Sequence, residues 1–242
     1  MASVKPLLDA SERLQGDLRE VRLSLDLTAE RVPALMYLPS EPPGPLPLVF
    51  IQHPATSSKD DYFVTEPARG WARRGWACVG LDAPLHGDRE RHDPMALLRD
   101  RSRFAGAVTQ FAAELSAAVD LLAGQYPVDL SRLGYVGYSL GSMLGLPAVA
   151  ADGRFRAAAF CLVGEGALAG AAAGPDGHLD GLKRVAVRLV GKTSDELIPR
   201  AQTEALYESL PGVKDLVWLP GGHFEIGPDV INAAGDWLRE HL

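Results

Sequence analysis

The sequence predicts an α/β fold in which a doubly wound, mostly parallel sheet follows an antiparallel N-terminal hairpin. Short apolar segments alternate with segments of helical periodicity along most of the chain, which is typical of parallel strands joined by crossover helices. Several of the apolar segments are apolar on both faces, as expected for strands that helices cover on each side. The length of 242 residues suits a single domain, 1–242, in which residues 1–19 are an N-terminal extension.

The individual elements follow from local patterns. Segments 21–27 and 31–38 predict the hairpin, and residues 28–30 are its turn. The proline-rich segment 41–47 is a predicted loop, because proline has no N–H group for a strand ladder. The further strands are predicted at 48–52, 77–81, 133–137, 157–163, 185–190 and 215–219. Helices are predicted at 63–74, 110–123, 142–151, 200–210 and 231–242.

Composition limits the classes of function. Hydrophobic residues make up 47% and charged residues 23% of the chain, as in ordinary water-soluble domains. The net charge of −7 argues against a nucleic-acid partner. No apolar run is long enough to cross a membrane, and the N-terminus lacks the apolar core of a signal peptide, so we expect a cytoplasmic protein with no membrane partner. Cys78 and Cys161 lie in apolar strand-like runs and are predicted to be buried free thiols.

The segment 137–141, Gly-Tyr-Ser-Leu-Gly, carries the most information about function. It follows a predicted strand and precedes a predicted helix, which is the context of a nucleophile elbow. The elbow turn is so tight that the residues flanking the serine must be small, and the serine Oγ is left exposed at the edge of the sheet. We therefore predict Ser139 as a nucleophile.

An acid and a histidine follow further along the chain, each in a loop after a predicted strand. Asp195 follows the strand at 185–190, and His223 follows the strand at 215–219. A serine hydroxyl is a poor nucleophile at neutral pH, so it needs a base, and the base needs a carboxylate to orient it. We predict Ser139, Asp195 and His223 as the catalytic triad. Glu165 is the alternative acid, and Glu196 is expected to point elsewhere.

The chain resembles α/β-hydrolases of the dienelactone-hydrolase and S9-esterase-like group. The resemblance is carried by the segments around Ser139, Asp195 and His223 and by two upstream segments. The chain order Ser, Asp, His is the order of that fold. Segment 48–61, with His53 and Lys59, is similar to the family's strand and oxyanion loop, and segment 82–89 is similar to its Asp-x-Pro-x-His-Gly block. The resemblance covers about residues 20–242. Dienelactone hydrolases proper carry cysteine as the nucleophile, so Ser139 argues against that particular activity.

The resemblance also implies an oxyanion hole made of two backbone N–H groups. One belongs to Leu140, the residue after the nucleophile, and the other to Ala55 in the loop after His53. Pro54 stands where the family usually has glycine, and proline stiffens the loop and lacks an N–H. Thr56 is therefore the alternative second donor. His53 and His86 are interpreted as residues that hold their loops.

Two segments are expected to border the site. The Ala/Gly-rich segment 164–182 lies where this fold usually carries a cap domain, and its length predicts only a minimal cap. His178 in that segment, His92 and His241 are interpreted as surface histidines. Segment 88–104 alternates arginines with acids and is interpreted as a solvated, self-paired face that could overhang the site. The alternative is that its arginines attract an anionic substrate; they are Arg89, Arg91, Arg99, Arg101 and Arg103.

The sequence thus predicts a serine hydrolase that cleaves carboxylic esters of small acyl groups through an acyl-enzyme intermediate. A thioesterase, an amidase or peptidase, or an acyltransferase with the same triad remain alternatives, because the pocket rather than the fold decides between them. A non-catalytic ligand-binding module is the alternative of another class. No metal-ligand spacing, P-loop or dinucleotide fingerprint is found, so no metal or cofactor is predicted. The expected partner is a small-molecule ester, and the oligomeric state is left open.

Overall fold

The computed structural model describes residues 8–27, 30–89, 93, 95–166 and 179–242. These residues form a sheet of nine strands. The strands are β1 (Leu8–Gln15), β2 (Leu18–Asp26), β3 (Arg31–Pro39), β4 (Leu46–Gln52), β5 (Ala77–Leu81), β6 (Val128–Tyr138), β7 (Ala157–Cys161), β8 (Ala186–Lys192) and β9 (Lys214–Leu219). The helices are α1 (Tyr62–Ala72), α2 (Ala96–Arg99), α3 (Arg101–Gln125), α4 (Leu140–Asp152), α5 (Arg200–Ser209) and α6 (Pro228–His241). Short 3₁₀ turns lie at Gly87–Arg89 and Asp180–Arg184.

The spatial order of the strands is β1-β2-β3-β5-β4-β6-β7-β8-β9. Strands β1, β2 and β3 pair antiparallel, and β3 pairs antiparallel with β5. From β5 to β9 every neighbouring pair is parallel. The predicted doubly wound, mostly parallel sheet with an antiparallel start is confirmed. The carboxyl ends of the parallel strands meet at one edge, which is where open α/β sheets place their ligand sites.

Helices cover both faces of the sheet because its central strands are apolar on both faces. In β4, Leu48 and Phe50 pack into one layer with α3 and α4, whereas Val49 and Ile51 pack into the opposite layer with α1 and α6. The first layer is built on residues such as Phe111 of α3, which is 1% exposed. Burial of such a side chain contributes about 2 kcal/mol, so these two layers supply most of the stability of the sheet.

The structure adds one strand that the sequence did not predict and begins one predicted helix earlier in the chain. Residues 8–15 of the N-terminal extension form an edge strand, in which Leu8 lies opposite Leu25 of β2. Helix α3 begins at Arg101, nine residues before the predicted start at 110. Asp100 caps it by accepting hydrogen bonds from the backbone N–H groups of Ser102 and Arg103, which satisfies two of the orphan donors at the helix start.

Some predictions lie outside the described residues. These are the hairpin turn at 28–29, most of the predicted minimal cap (167–178), and His178, Arg91 and His92. Cys78 and Cys161 are buried and free, as predicted. None of the described helices combines the length and the apolar character needed to cross a membrane.

Candidate active site

Ser139 occupies a strained turn between β6 and α4. Its φ is 49° and its ψ is −110°, a conformation that is uncommon for any residue other than glycine. A Cβ atom at Gly137 would lie 2.6 Å from the backbone of Gly141, and one at Gly141 would overlap the carbonyl oxygen of Gln52. The two glycines flanking the serine are therefore required by close backbone contacts, which is the geometry of a nucleophile elbow.

The structure brings Ser139, His223 and Asp195 together. Ser139 Oγ lies 2.8 Å from His223 Nε2, and His223 Nδ1 lies 3.0 and 2.9 Å from the two carboxylate oxygens of Asp195. The Asp195 side chain is 3% exposed, and its Oδ1 also accepts the backbone N–H groups of Leu197 and Ile198. Because a carboxylate only accepts, Nδ1 of the ring carries a proton, and Nε2 is left to accept the serine proton.

The alternative acid takes no part in this arrangement. Glu165 is exposed, and the carboxylate beside His223 Nδ1 belongs to Asp195. The partner of His223 Nδ1 is Asp195, whereas Glu196 Oε2 accepts the backbone N–H of His223 at 2.9 Å. This hydrogen bond lowers the pKa of Glu196. The Glu225 carboxylate accepts the N–H of Gly222 in the same way, at 2.9 Å.

Sequence reasoning missed this use of Glu196 and Glu225 as anchors of the histidine loop. Neither glutamate contacts the ring, and Glu196 reaches the loop only because the ends of β8 and β9 are neighbours in the sheet. The one local signal is the placement of Glu225 three residues after Gly222, a spacing that lets a carboxylate accept a backbone N–H in a turn. Such a spacing is too common to have identified the contact from the sequence.

The two predicted oxyanion donors lie beside the nucleophile. Leu140 is the first residue of α4, so its N–H has no acceptor within the helix. Ala55 and Thr56 both line the cavity that contains Ser139 and His223. Thr56 has a φ of 60°, an unusual value for a β-branched side chain and a sign that the loop is held tightly.

A buried ion pair anchors the loop that carries these donors. Lys59 is 3% exposed, and its Nζ lies 2.9 Å from Asp82 Oδ2 and 2.7 Å from Asp88 Oδ2. Its backbone N–H also donates to Asp82 Oδ1. Burial alone would lower the pKa of Lys59, but the carboxylates of Asp88 and Asp82 raise it above its usual value. The loop after β4 is thereby fixed to the turn after β5.

A cavity of about 300 Å³ opens above Ser139. Apolar side chains form most of its wall. The lining residues are Pro54, Ala55, Thr56, Ser57, Asp61, Phe63, Met95, Leu98, Ser139, Leu197, His223, Phe224 and Ile226. Met95 and Leu98 come from segment 88–104, so that segment borders the site with apolar side chains.

The interpretation of segment 88–104 as a solvated face is wrong for Arg89. This side chain is buried and forms a paired contact with both carboxylate oxygens of Glu114 at 2.8 Å. Arg99 and Arg103 do pair with acids of their own segment, Asp93 and Asp100. The sequence pattern could not reveal the Arg89 partner, because Glu114 lies 25 residues further along the chain on α3.

Among the residues that the structure describes, no three His, Cys, Asp or Glu side chains are grouped so that they could hold a metal ion. A hydroxyl hydrogen-bonded to a carboxylate-oriented imidazole, beside free backbone donors, is the arrangement of nucleophilic acyl transfer.

Solved structures with the same architecture include esterases. A cold-adapted esterase from an Arctic intertidal metagenomic library aligns with 98% of this chain and 99% of its own, at a TM-score of 0.82 and 24% identity. A dienelactone hydrolase from Anabaena variabilis aligns over 98% of this chain and 99% of its own, at a TM-score of 0.68 and 21% identity. The chain therefore has the α/β-hydrolase fold, and the predicted resemblance to this group is confirmed.

Among curated proteins, the hydrolase acrC of Aspergillus aculeatus is 31% identical over 142 residues, which are 55% of this chain and 31% of that protein. The chain thus matches about a third of the length of this relative. No protein-family model matches the chain.

Proposed function

We propose that this protein is a serine hydrolase that cleaves carboxylic esters of small acyl groups through an acyl-enzyme intermediate. The observation that carries the proposal is the continuous hydrogen-bonded series from Ser139 Oγ through the His223 ring to the buried Asp195 carboxylate. A solved structure with the same fold is an esterase, which supports an ester as the substrate.

The mechanism follows from the roles of these groups. Ser139 Oγ attacks the ester carbonyl while His223 Nε2 takes its proton, and Asp195 holds the ring and stabilises the imidazolium that forms. The backbone N–H groups of Leu140 and Ala55 stabilise the oxyanion, a contribution of about 3–4 kcal/mol per donor in such sites. The imidazolium then gives the proton to the leaving alcohol. Water, deprotonated by His223, attacks the acyl-serine and releases the acid.

The preference for small acyl groups rests on the cavity. Its volume of about 300 Å³ lies at the lower end of the range for small-molecule sites. Each methylene that the apolar wall buries contributes about 0.8 kcal/mol, and this gain ends where the acyl chain fills the cavity.

A panel of matched acetyl substrates tests the proposal. The acetyl ester of p-nitrophenol, the acetyl thioester of thiophenol and p-nitroacetanilide are compared by kcat/KM, with Ser139→Ala as control. We expect the ester to be cleaved at least about 100-fold faster than the anilide, and Ser139→Ala to be inactive. A tenfold preference for the thioester would instead indicate a thioesterase, and a preference for the anilide an amidase. Absence of turnover of all three would favour a binding module.

A further inference from the structure

Asp61 is the one acidic residue among the described residues that line the cavity above Ser139. It precedes α1 as the N-cap residue, yet its side chain caps no N–H group of that helix. Its Oδ2 instead accepts the backbone N–H of Ser58 at 3.0 Å and the hydroxyl of Ser57. The carboxylate is therefore turned back along the loop after β4 and held by it.

The second carboxylate oxygen of Asp61 is left for a ligand. In the part of the chain that the structure describes, Oδ1 accepts no hydrogen bond, and Asp61 forms no salt bridge. The neighbouring Asp60 differs, because it pairs with Arg22 at 2.7 Å and with Lys59 at 3.1 Å. Asp61 is half-buried, and a carboxylate that is partly removed from water is stabilised by a donor or a cation.

The described residues offer no positive side chain that would neutralise Asp61 at the cavity wall. The described lining contains neither lysine nor arginine. Three arginines of segment 88–104, which could have drawn an anionic substrate to the site, each have an acidic partner. The pairs are Arg89 with Glu114, Arg99 with Asp93, and Arg103 with Asp100. The charge at this wall therefore favours a positive group in the ligand.

We propose that Asp61 selects esters whose alcohol carries a cationic group such as an ammonium. This inference rests on the proposed ester hydrolysis. A short acyl group takes the apolar wall of Met95 and Leu98, so the alcohol is left to meet the carboxylate. The cation pairs with Asp61 Oδ1 while Oδ2 keeps its two contacts in the loop. Asp61 thus acts on specificity and takes no part in the bond-making steps.

Two acetyl esters of equal shape test this selection by charge. Acetylcholine and 3,3-dimethylbutyl acetate differ in one atom, which is a cationic nitrogen in the first and a neutral carbon in the second. Acetic acid release gives kcat/KM for each, and we expect the wild type to prefer the cationic ester by about five- to tenfold. This preference should shrink when sodium chloride is raised from about 0.05 to about 0.5 M, because salt screens a partly exposed ion pair.

Asp61→Asn separates the charge from the hydrogen bonds of the loop. Its amide oxygen can still accept from Ser57 and Ser58, whereas the charge is gone. The two kcat/KM values should then agree within about twofold, and any general loss of activity cancels in their ratio. Glu66→Gln is the matched control, since Glu66 is an exposed acid of α1 outside the described cavity lining. It changes the net charge equally and should keep the wild-type ratio. Thermal unfolding verifies that each variant is folded.

Three results would overturn the inference while leaving the proposed function intact. These are equal cleavage of the two esters by the wild type, an unchanged ratio in Asp61→Asn, or an equal fall of the ratio in Glu66→Gln. A neutral hydroxyl in place of the cation would appear as a preference for ethylene glycol monoacetate over propyl acetate without a preference for acetylcholine, and it would also overturn the inference. A wild type that cleaves neither these esters nor p-nitrophenyl acetate would overturn the proposed function, and this inference with it.

Discussion

At the scale of single residues, the site depends on backbone contacts that leave no room for ordinary side chains. The positive φ of Ser139 costs on the order of 1–3 kcal/mol and persists because its surroundings hold it. The Ser139 N–H donates to the carbonyl of Cys161 at 2.9 Å, and Ser142 Oγ lies within hydrogen-bonding distance of the carbonyls of Gly137 and Cys161. Strand β7 thus holds the elbow in its strained form.

Gly141→Ala tests the close contact between the elbow and the oxyanion loop. The new Cβ would overlap the backbone carbonyl of Gln52, so β4 and the start of the loop must shift. We expect a loss of stability of about 1–3 kcal/mol and a loss of kcat/KM of at least about 100-fold. Gly106→Ala is the matched control, because a Cβ at this exposed helical position meets nothing within 4 Å. It should stabilise the protein by about 0.5–1 kcal/mol and leave the kinetics unchanged. Equal activity of the two variants would argue against the close contact.

Asp195→Asn tests the role of the acid. The amide could donate a hydrogen bond to Nδ1 and favour the wrong tautomer of His223, so kcat should fall about 10⁴-fold. Glu165→Gln should leave kcat unchanged, since Glu165 is exposed and Asp195 occupies the position beside Nδ1. Steady-state kinetics of both variants on p-nitrophenyl acetate make the comparison. A nearly active Asp195→Asn together with an inactive Glu165→Gln would assign the acid to the loop after β7.

At the scale of elements, the loops after β4, β5, β6, β8 and β9 assemble the site at the carboxyl edge of the sheet, and contacts between loops set their positions. The loop after β4 is fixed to the turn after β5 by Lys59 and Asp82. The histidine loop after β9 is fixed to the acid loop after β8 by the Glu196 carboxylate, and to itself by Glu225. The catalytic geometry is therefore supported by residues that do not touch the substrate site directly.

Glu196 variants test whether the histidine loop needs this anchor. Glu196→Ala removes the acceptor of the His223 N–H, whereas Glu196→Gln keeps a side-chain oxygen that can accept it. We expect Glu196→Ala to lower kcat about tenfold, because the loop loses one hydrogen bond that positions it, and Glu196→Gln to stay within about threefold of wild type. Equal losses in the two variants would show that the charge, not the hydrogen bond, matters.

The elements that could be predicted from the sequence are those whose own residues carry the signal. Strands β4, β5 and β7 are almost wholly apolar and fully buried, and the elbow is marked by Gly137 and Gly141. Strand β1 could not be predicted in this way. Its residues are largely polar, Leu14 is 72% exposed, and it is held by the backbone ladder with β2 at the edge of the sheet. The carboxylate anchors of the histidine loop and the Arg89–Glu114 pair likewise depend on distant partners.

At the scale of the whole molecule, the size of the cavity sets the expected substrate range. Met95 and Leu98 from segment 88–104 close one side of the site, and Leu197 and Phe224 border it while remaining 55% and 75% exposed. An acyl chain longer than the cavity would extend past this border into solvent and bury no further apolar surface. Under the proposed function, Met95 and Leu98 supply apolar wall against which a short acyl chain packs.

The acyl-chain profile follows from this arrangement. With p-nitrophenyl acetate, butyrate, octanoate and palmitate, we expect kcat/KM to be highest at butyrate or below and to decline beyond about C4 to C6. Leu98→Ala should reduce the advantage of butyrate over acetate, because it removes apolar wall. The control is Leu14→Ala, an exposed leucine of β1 outside the cavity lining. A maximum at octanoate or longer would mean that an extended acyl groove exists.

Covalent labelling tests the proposal that Ser139 forms the acyl-enzyme. The protein is treated with a fluorophosphonate, and intact mass, peptide mapping and residual hydrolysis of p-nitrophenyl acetate are followed together. We expect one adduct per chain, located on Ser139, whose formation parallels the loss of activity. Ser139→Ala should take no label and should lose activity by about 10⁶-fold. An adduct on another residue, or a Ser139→Ala variant with turnover within tenfold of wild type, would contradict the claim.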